Sequence, residues 1–183
     1  AEGRFIVPSG ILSDVSRILP LDDEEAMVEI SWSNNHVAFT FGDTYFIASL
    51  VNGEYPDYHR IIPTHFEARA EVNLKDFEEA VRFVSPIARD MSYQTINFHF
   101  NGDTLEIFEE DPDIGRADTS IPVKLDGENI SLTFNCTYIE DILKHSKGET
   151  IILNLQKAGP IVIEQEEDKT YNYMLTPMRG RKY

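Results

Sequence analysis

The sequence predicts an α+β fold built from repeated β-α-β-β-β units, with helices on one face of antiparallel sheets. Three observations carry that expectation. Short runs alternate apolar and polar residues and are separated by Gly, Asn and Pro, as half-buried strands require. Three longer stretches place apolar residues at helical spacing instead. Strands and helix then recur in one order with a period of about 60 residues, the mark of an internal repeat.

The first unit opens with an apolar strand around Phe5, Ile6 and Val7, and Pro8-Ser9 starts a helix. Leu12, Val15, Ile18 and Leu19 recur at helical spacing until Pro20 stops them. An acidic loop, Asp22-Asp23-Glu24-Glu25, leads to Met27, Val28, Ile30 and Trp32. Asn34-Asn35 turns the chain into Val37, Phe39 and Phe41, and Gly42-Asp43 turns it again into a run from Tyr45 to Val51. The second unit reads Ala68 to Val72 as strand and Leu74 to Val84 as helix, with Phe77, Ala80, Val81 and Val84 on one face. Ile96, Phe98 and Phe100 alternate, Asn101-Gly102 turns into Leu105, Ile107 and Phe108, and Ala117 to Val123 closes the unit. In the third, Asn129 to Phe134 is strand, Thr137 to His145 helix, and Ile151 to Leu155, Pro160 to Ile163 and Tyr171 to Leu175 are strands.

The repeat has a register. Val7, Val72 and Phe134 end the first strands, 65 and 62 residues apart. Leu12, Phe77 and Ile139 follow at one equivalent helical position, expected to be apolar and buried. Asp14, Glu79 and Asp141 share a second position, and Arg17, Arg82 and Lys144 a third. Two such units, each with a sheet face and a helix to bury, make a natural α+β domain. Three units make one and a half.

With 42% hydrophobic and 11% aromatic residues among 183, the chain is long and apolar enough to fold. Its formal charge of −16 argues against a protein coated in nucleic acid, because phosphate contact needs Lys and Arg. Where the 16 basic residues sit then decides any nucleic-acid role. The single cysteine, Cys136, excludes an internal disulfide and suits a reducing compartment. No apolar run approaches the roughly 18 residues of a membrane helix and no signal peptide opens the sequence, so the cytoplasm is the expected location.

The stretch from Leu50 to Pro63, LVNGEYPDYHRIIP, joins the first unit to the rest. Asn52-Gly53 signals a turn, and Pro56 keeps Tyr55 extended and cannot donate to a ladder. Read as pattern, it is either an ordinary connector or an exposed binding segment. It also resembles the segment joining the middle and C-terminal domains of the bacterial replicative sliding clamp, the beta subunit of DNA polymerase III. Two further segments resemble that family in the same order: Phe134-Asn135-Cys136-Thr137-Tyr138-Ile139-Glu140-Asp141-Ile142-Leu143 and Tyr173-Met174-Leu175-Thr176-Pro177-Met178-Arg179.

The resemblance implies the DNA clamp fold, in which six units form three domains, helices line a ring and sheets form its outer wall. Residues 1–63 would be the second half of the middle domain. Residues 64–183 would be the complete C-terminal domain, in units of about 64–125 and 126–183. It implies a DNA polymerase processivity factor that encircles duplex DNA without reading its sequence. Its partners would be the polymerase III alpha subunit, the clamp loader and repair polymerases, held through short peptide motifs. It implies no cofactor and, in the full-length protein, a homodimer. The partner-peptide site carried over by motif position comprises Pro56, Arg60, Ile61, Tyr138, Pro160, Met174, Thr176, Pro177, Met178 and Arg179. Thr176 stands where the family often has an apolar residue, and the remaining pocket positions lie before Ala1. Arg17, Arg82 and Lys144 would face DNA; locally, each could equally pair with the acid three residues before it. Arg89 and Lys147 are further basic candidates near helix ends. Ile87, Glu109 and Glu110 would meet the basic edge of a second protomer, although the Glu109-Glu110-Asp111-Pro112-Asp113 segment also reads as a solvated acidic turn.

Enzyme signals are poor. His36, His59, His65, His99 and His145 have no metal spacing, and there is no phosphate-binding Gly-rich loop or G-x-S-x-G elbow. The competing readings are a stand-alone peptide-binding α+β module that never encircles DNA and, more distantly, a hydrolase using unrecognised carboxylates. The odd number of units also leads us to expect that the first unit pairs with another copy or stays partly disordered.

Overall fold

The computed structural model describes residues 3–19, 27–90, 93–167 and 170–178. The chain divides into two compact units, Ala1–Asp57 and Tyr58–Tyr183, so the division falls inside the Pro56-Asp57-Tyr58 connector. In the first unit, helix α1 (Ser9–Ile18) packs on an antiparallel sheet of β1 (Glu29–Trp32), β2 (His36–Phe41) and β3 (Thr44–Ser49), in that spatial order. Val15 meets Val37, Phe39, Phe41 and Ala48, with Ile11 and Leu19 at the margins. The expected strand Phe5–Val7 is reduced to one antiparallel bridge, Ile6 to Val51. Leu12, expected to be buried, is 49% exposed. The expected acidic loop from Asp22 to Glu25 and the stop at Pro20 lie outside the described residues.

The second unit begins with a 3₁₀ turn, Tyr58–Arg60. It then runs β4 (Ala68–Asn73), α2 (Leu74–Asp90), β5 (Thr95–Asn101), β6 (Thr104–Asp111), β7 (Gly115–Pro122) and β8 (Lys124–Gly127). The third repeat follows as β9 (Ile130–Asn135), α3 (Cys136–His145), β10 (Thr150–Leu155), β11 (Ile161–Gln165) and β12 (Asn172–Leu175). Both helices start on an Asn cap at the same repeat position. Asn73 Oδ1 accepts from the Asp76 amide at 3.1 Å, and Asn135 Oδ1 from the Thr137 amide at 2.9 Å. Helix α2 continues six residues beyond its expected end at Val84, through Pro86. Ala88, fully buried past the proline, keeps the apolar face going, and the Ser85 hydroxyl donates to the Val81 carbonyl at 2.8 Å.

The two repeats of this unit exchange their opening strands. One antiparallel sheet has the order β12-β11-β10-β4-β8, so the second repeat's opening strand lies in the third repeat's sheet. The other has the order β7-β6-β5-β9, with the third repeat's opening strand against β5. The strand expected from Ala117 to Val123 is β7 up to Pro122; a further strand, β8, follows it in the other sheet, with Val123 buried at the crossing. A further pairing recurs in all three repeats, because each opening strand meets a segment following its own last strand. The pairs are Ile6 with Val51, β4 with β8, and Thr133 with Met178. At the second of these, Gly127 has φ +114°, and a Cβ there would run into the Glu67 carbonyl, so the close approach excludes a side chain.

One hydrophobic core spans both sheets and both helices of the second unit. Phe98 sits at its centre, 5.5 Å from Phe77, 5.4 Å from Phe134 and 6.4 Å from Phe100, ring centre to ring centre. Leu12's counterparts Phe77 and Ile139 are 0% and 1% exposed. Among the described residues, α1 has no second helix beside it in its own unit, which is why the same repeat position is open there.

Two stability measurements check this account. Phe98→Ala, which empties the centre of a close-packed core, should lower unfolding stability by about 3–5 kcal/mol in a denaturant titration. Glu71 joins β4 to β8 by accepting from Arg69 and from Lys124 Nζ, the latter at 3.0 Å. Hydrogen bonds from Arg69 and then Lys124 hold its carboxyl below the usual carboxylate range. Its stabilising contribution is therefore present above that range and lost as the pH falls through the lowered value. The difference in unfolding midpoint between the wild type and Glu71→Gln should accordingly be largest near neutral pH and vanish in acid.

Candidate functional site

The equivalent helical position of the three repeats carries an exposed cation each time, but with different neighbours. Arg17 sits 3.6 Å from Asp14, and both side chains are exposed, so the local pairing reading holds in the first repeat. Arg82 and Lys144 are also exposed, yet among the described residues neither has a carboxylate within ion-pair distance. Exposed, unneutralised cations on adjacent helices are available to a phosphate backbone. Arg89 is not: its guanidinium grips Glu140 of α3 with contacts of 2.7 and 3.2 Å. It ties the two helices together. A cross-helix pair of this kind has no signature in sequence spacing.

Of the residues expected to hold a partner peptide, Tyr138, Met174, Pro177 and Met178 line two grooves of the second unit. Tyr138 on the first turn of α3 and Met174 on β12 line a concavity of about 490 Å³ together with Asp141, Ile142, Tyr173 and Leu175. Tyr138 is 59% and Met174 39% exposed, whereas Tyr173 and Leu175 turn inward against the core. The alternation of β12 produces this division. Its Met174 faces outward between two residues that anchor the strand.

Pro177 and Met178 line a second groove of about 610 Å³ on the four-stranded sheet, with Phe108, Arg116, His99 and Lys157 among its walls. The Met178 amide donates to the Thr133 carbonyl at 2.7 Å, so this stretch is tied to the edge of β9. Thr176 is exposed between the two grooves. Pro160 is half-buried before β11, its carbonyl accepting from Gln156 Nε2 at 2.6 Å, and lines neither groove. Arg60 ends the 3₁₀ turn and Ile61 follows, its amide donating to the Tyr58 carbonyl at 3.0 Å; both are exposed and line neither groove. Pro56 is exposed in the first unit, and Arg179 lies outside the described residues.

The expected acidic edge is altered by folding. Residues 109–111 end β6 and only 112 and 113 lie in the hairpin turn, because β6 runs to Asp111 and β7 starts at Gly115. Glu109 is 1% exposed and accepts from Asn97 Nδ2 at 2.8 Å, so it is a buried group and not part of a solvated edge. It continues the buried alternation of Leu105 and Ile107 along β6, a register the acidic run had hidden. Glu110 is exposed, and Ile87 is half-buried on α2. Arg116, which sequence reading passed over, gathers Glu106, Glu110 and Asp118 at 3.4, 3.5 and 3.1 Å and lies 5.2 Å over the Phe108 ring. The carboxylate of Asp118, followed by that of Glu110, raises its affinity for the proton. The pairing of Glu110 opposite Arg116 across the hairpin could have been found only once the register was known.

No group of three or more His, Cys, Asp or Glu side chains that could hold a metal ion occurs among the described residues. Burial pushes the Cys136 thiol up, away from the reactive thiolate.

The family model for the C-terminal domain of the DNA polymerase III beta subunit matches residues 59–179, and the one for the central domain of that protein matches residues 1–57. The chain belongs to the DNA polymerase III beta subunit family. Among its relatives, the beta sliding clamp of Staphylococcus epidermidis is 26% identical over 178 residues, which are 96% of this chain and 47% of that protein. The structure of the beta subunit from Thermotoga maritima superposes with a TM-score of 0.85 at 26% identity, over 97% of this chain and 48% of that one. The sliding clamp from Bartonella birtlesii, solved bound to griselimycin, gives 0.84 at 26% identity, over 96% and 47%. The chain thus spans about half the length of the relatives it matches.

Removing Arg116 leaves Glu106, Glu110 and Asp118 facing one another. Arg116→Ala should therefore lower the melting temperature most at low ionic strength, with the deficit shrinking as salt screens the three carboxylates. Thermal melts of both proteins across a salt series check this.

Proposed function

We propose that the chain is the C-terminal portion of a DNA polymerase processivity clamp. In this reading residues 1–63 are the second half of the middle domain and residues 64–183 the complete C-terminal domain. The ring of which it forms part encircles duplex DNA, and polymerase III, the clamp loader and repair polymerases are tethered to it by short peptides. The observation that carries the reading is the match to two successive domains of one family, in order, over nearly the whole chain. Arg82 and Lys144, exposed and without ion-pair partners among the described residues, support non-specific contact with the duplex. Catalysis has no part in it: a ring acts by topology and holds polymerase to DNA without reading bases. Ile87 and Glu110 remain the proposed contact with a second protomer. A cytoplasmic location is supported by the bacterial relatives, and among the described residues no helix is long and apolar enough to cross a membrane.

For peptide capture, the α3–β12 groove is the favoured seat. Met174 and Ile142 offer a soft apolar floor that accepts Leu or Phe anchors, and Tyr138 offers a hydroxyl at the rim. Pro56, Arg60, Ile61, Pro160, Thr176, Pro177, Met178 and Arg179 complete the proposed site. The second reading, a peptide-binding module independent of any ring, shares this groove and differs only in needing no DNA.

Titration of a fluorescent peptide with a Gln-Leu-x-Leu-Phe type motif tests the site. We expect saturable binding, weakened about tenfold or more by Tyr138→Ala and by Met174→Ala, a loss of roughly 1.4 kcal/mol or more. Binding untouched by both variants would remove the groove from the proposal. For the duplex, Arg82→Ala with Lys144→Ala should make weak binding less salt-dependent, reducing the slope of log K against log salt by about 2.

A further inference from the structure

We infer that Asp141 gives the α3–β12 groove a charge preference, favouring peptides with a Lys or Arg beside the apolar anchor. The inference rests on the peptide reading of that groove and adds the rule by which peptides are chosen. Tyr138, Asp141 and Ile142 stand at i, i+3 and i+4 on α3, so one helix face presents all three to the groove. Ile142 is buried beneath it, while Asp141 is exposed. Of the residues that line the groove, Asp141 alone carries a charge.

The usual local reasons for an acid at this position are absent. The repeat supplies a basic residue three positions on, and in the first repeat Asp14 and Arg17 do meet, at 3.6 Å. Asp141 and Lys144 do not. Among the described residues no cation lies within ion-pair distance of the Asp141 carboxylate. His145, one turn further on, bonds through Nδ1 to the Asp141 main-chain carbonyl at 2.7 Å, not to its side chain. The helix cap is Asn135, and Asp141 lies past the first turn, where the macrodipole favours an acid. The neighbouring acid, Glu140, is held by Arg89 at 2.7 Å. Asp141 is left as an anion at the rim of an apolar floor.

An anchor seated on Met174 and Ile142 carries its neighbouring residues along that rim. A cation there is attracted by the carboxylate, and an acid is repelled. An exposed pair changes binding by up to about fivefold, so exchanging Lys for Glu, which removes an attraction and adds a repulsion, should cost about tenfold. The chain's net charge of −16 does not supply the same preference, because exposed charges more than about 10 Å away are largely screened at 0.1 M salt.

The test is a fluorescence titration at about 0.1 M salt. The probes are a Gln-Leu-Ser-Leu-Phe peptide with serine on both flanks, and versions with Lys or Glu in place of either serine. We expect the Lys peptide to bind about tenfold tighter than the Glu peptide on one flank, and the ratio to fall to about twofold or less in Asp141→Asn. The ratio should persist in Asp141→Glu. It should also persist in Asp103→Asn, which neutralises an exposed acid in the β5–β6 hairpin turn. Equal affinities on both flanks would overturn the inference, while binding of the serine-flanked peptide leaves the peptide reading standing. A preference that survives Asp141→Asn, or that Asp103→Asn removes as well, overturns it too. Loss of all peptide binding in Asp141→Asn makes the residue structural and has the same consequence. A wild-type chain that binds none of the peptides removes the reading and the inference together.

Discussion

The architecture of residues 58–183 depends on the exchange of opening strands between its two repeats. A repeat of one helix and three or four short strands exposes too much apolar surface to stand alone. Lending β4 to one sheet and taking β9 into the other gives each repeat a backbone ladder to its neighbour as well as a packed face. The helices then lie side by side over a shared core centred on Phe98, and the Arg89–Glu140 grip holds them there. The exposed Arg82 and Lys144 follow from this arrangement, because apolar residues have taken the sheet-facing positions of both helices.

Much of the fold was legible in the sequence, and the reasons differ by element. The alternation of Ile96, Phe98 and Phe100 and the helical spacing of Phe77, Ala80, Val81 and Val84 are local patterns, and all seven are buried as read. The repeat register was legible too, down to the shared Asn caps that the structure adds at Asn73 and Asn135. What eluded reading is non-local. Leu12 has the right spacing for burial, but burial needs a neighbour, and spacing cannot show whether one is present. The helix read as ending at Val84 runs on through Pro86 to Asp90, where the buried Ala88 continues its apolar face. The extra strand β8 after the second repeat's last expected strand depends on a sheet being there to receive it.

The site was legible in part for the same reason. The motif positions of Tyr138 and Met174 meet across one groove because a helix turn and an adjacent strand are brought together by the repeat itself. Pro177 and Met178, which follow Met174 closely in sequence, turn onto the other sheet. Glu109 looked like one acid in an acidic run until the β6 register sent it inward. Arg116 reaches its three carboxylates along its own strand and across to β6, a geometry set by hairpin pairing.

The backbone bond from Met178 to Thr133 makes the tail a structural member of the third repeat as well as a groove wall. Occupancy and folding are therefore thermodynamically linked. A ligand seated against Pro177 and Met178 binds only the arrangement in which the tail is closed onto β9, and so shifts that local equilibrium by mass action. The closing segments of the other two repeats, at Val51 and β8, line neither of the two grooves of the second unit. Of the three homologous closures, the last is the one that walls either of these two grooves.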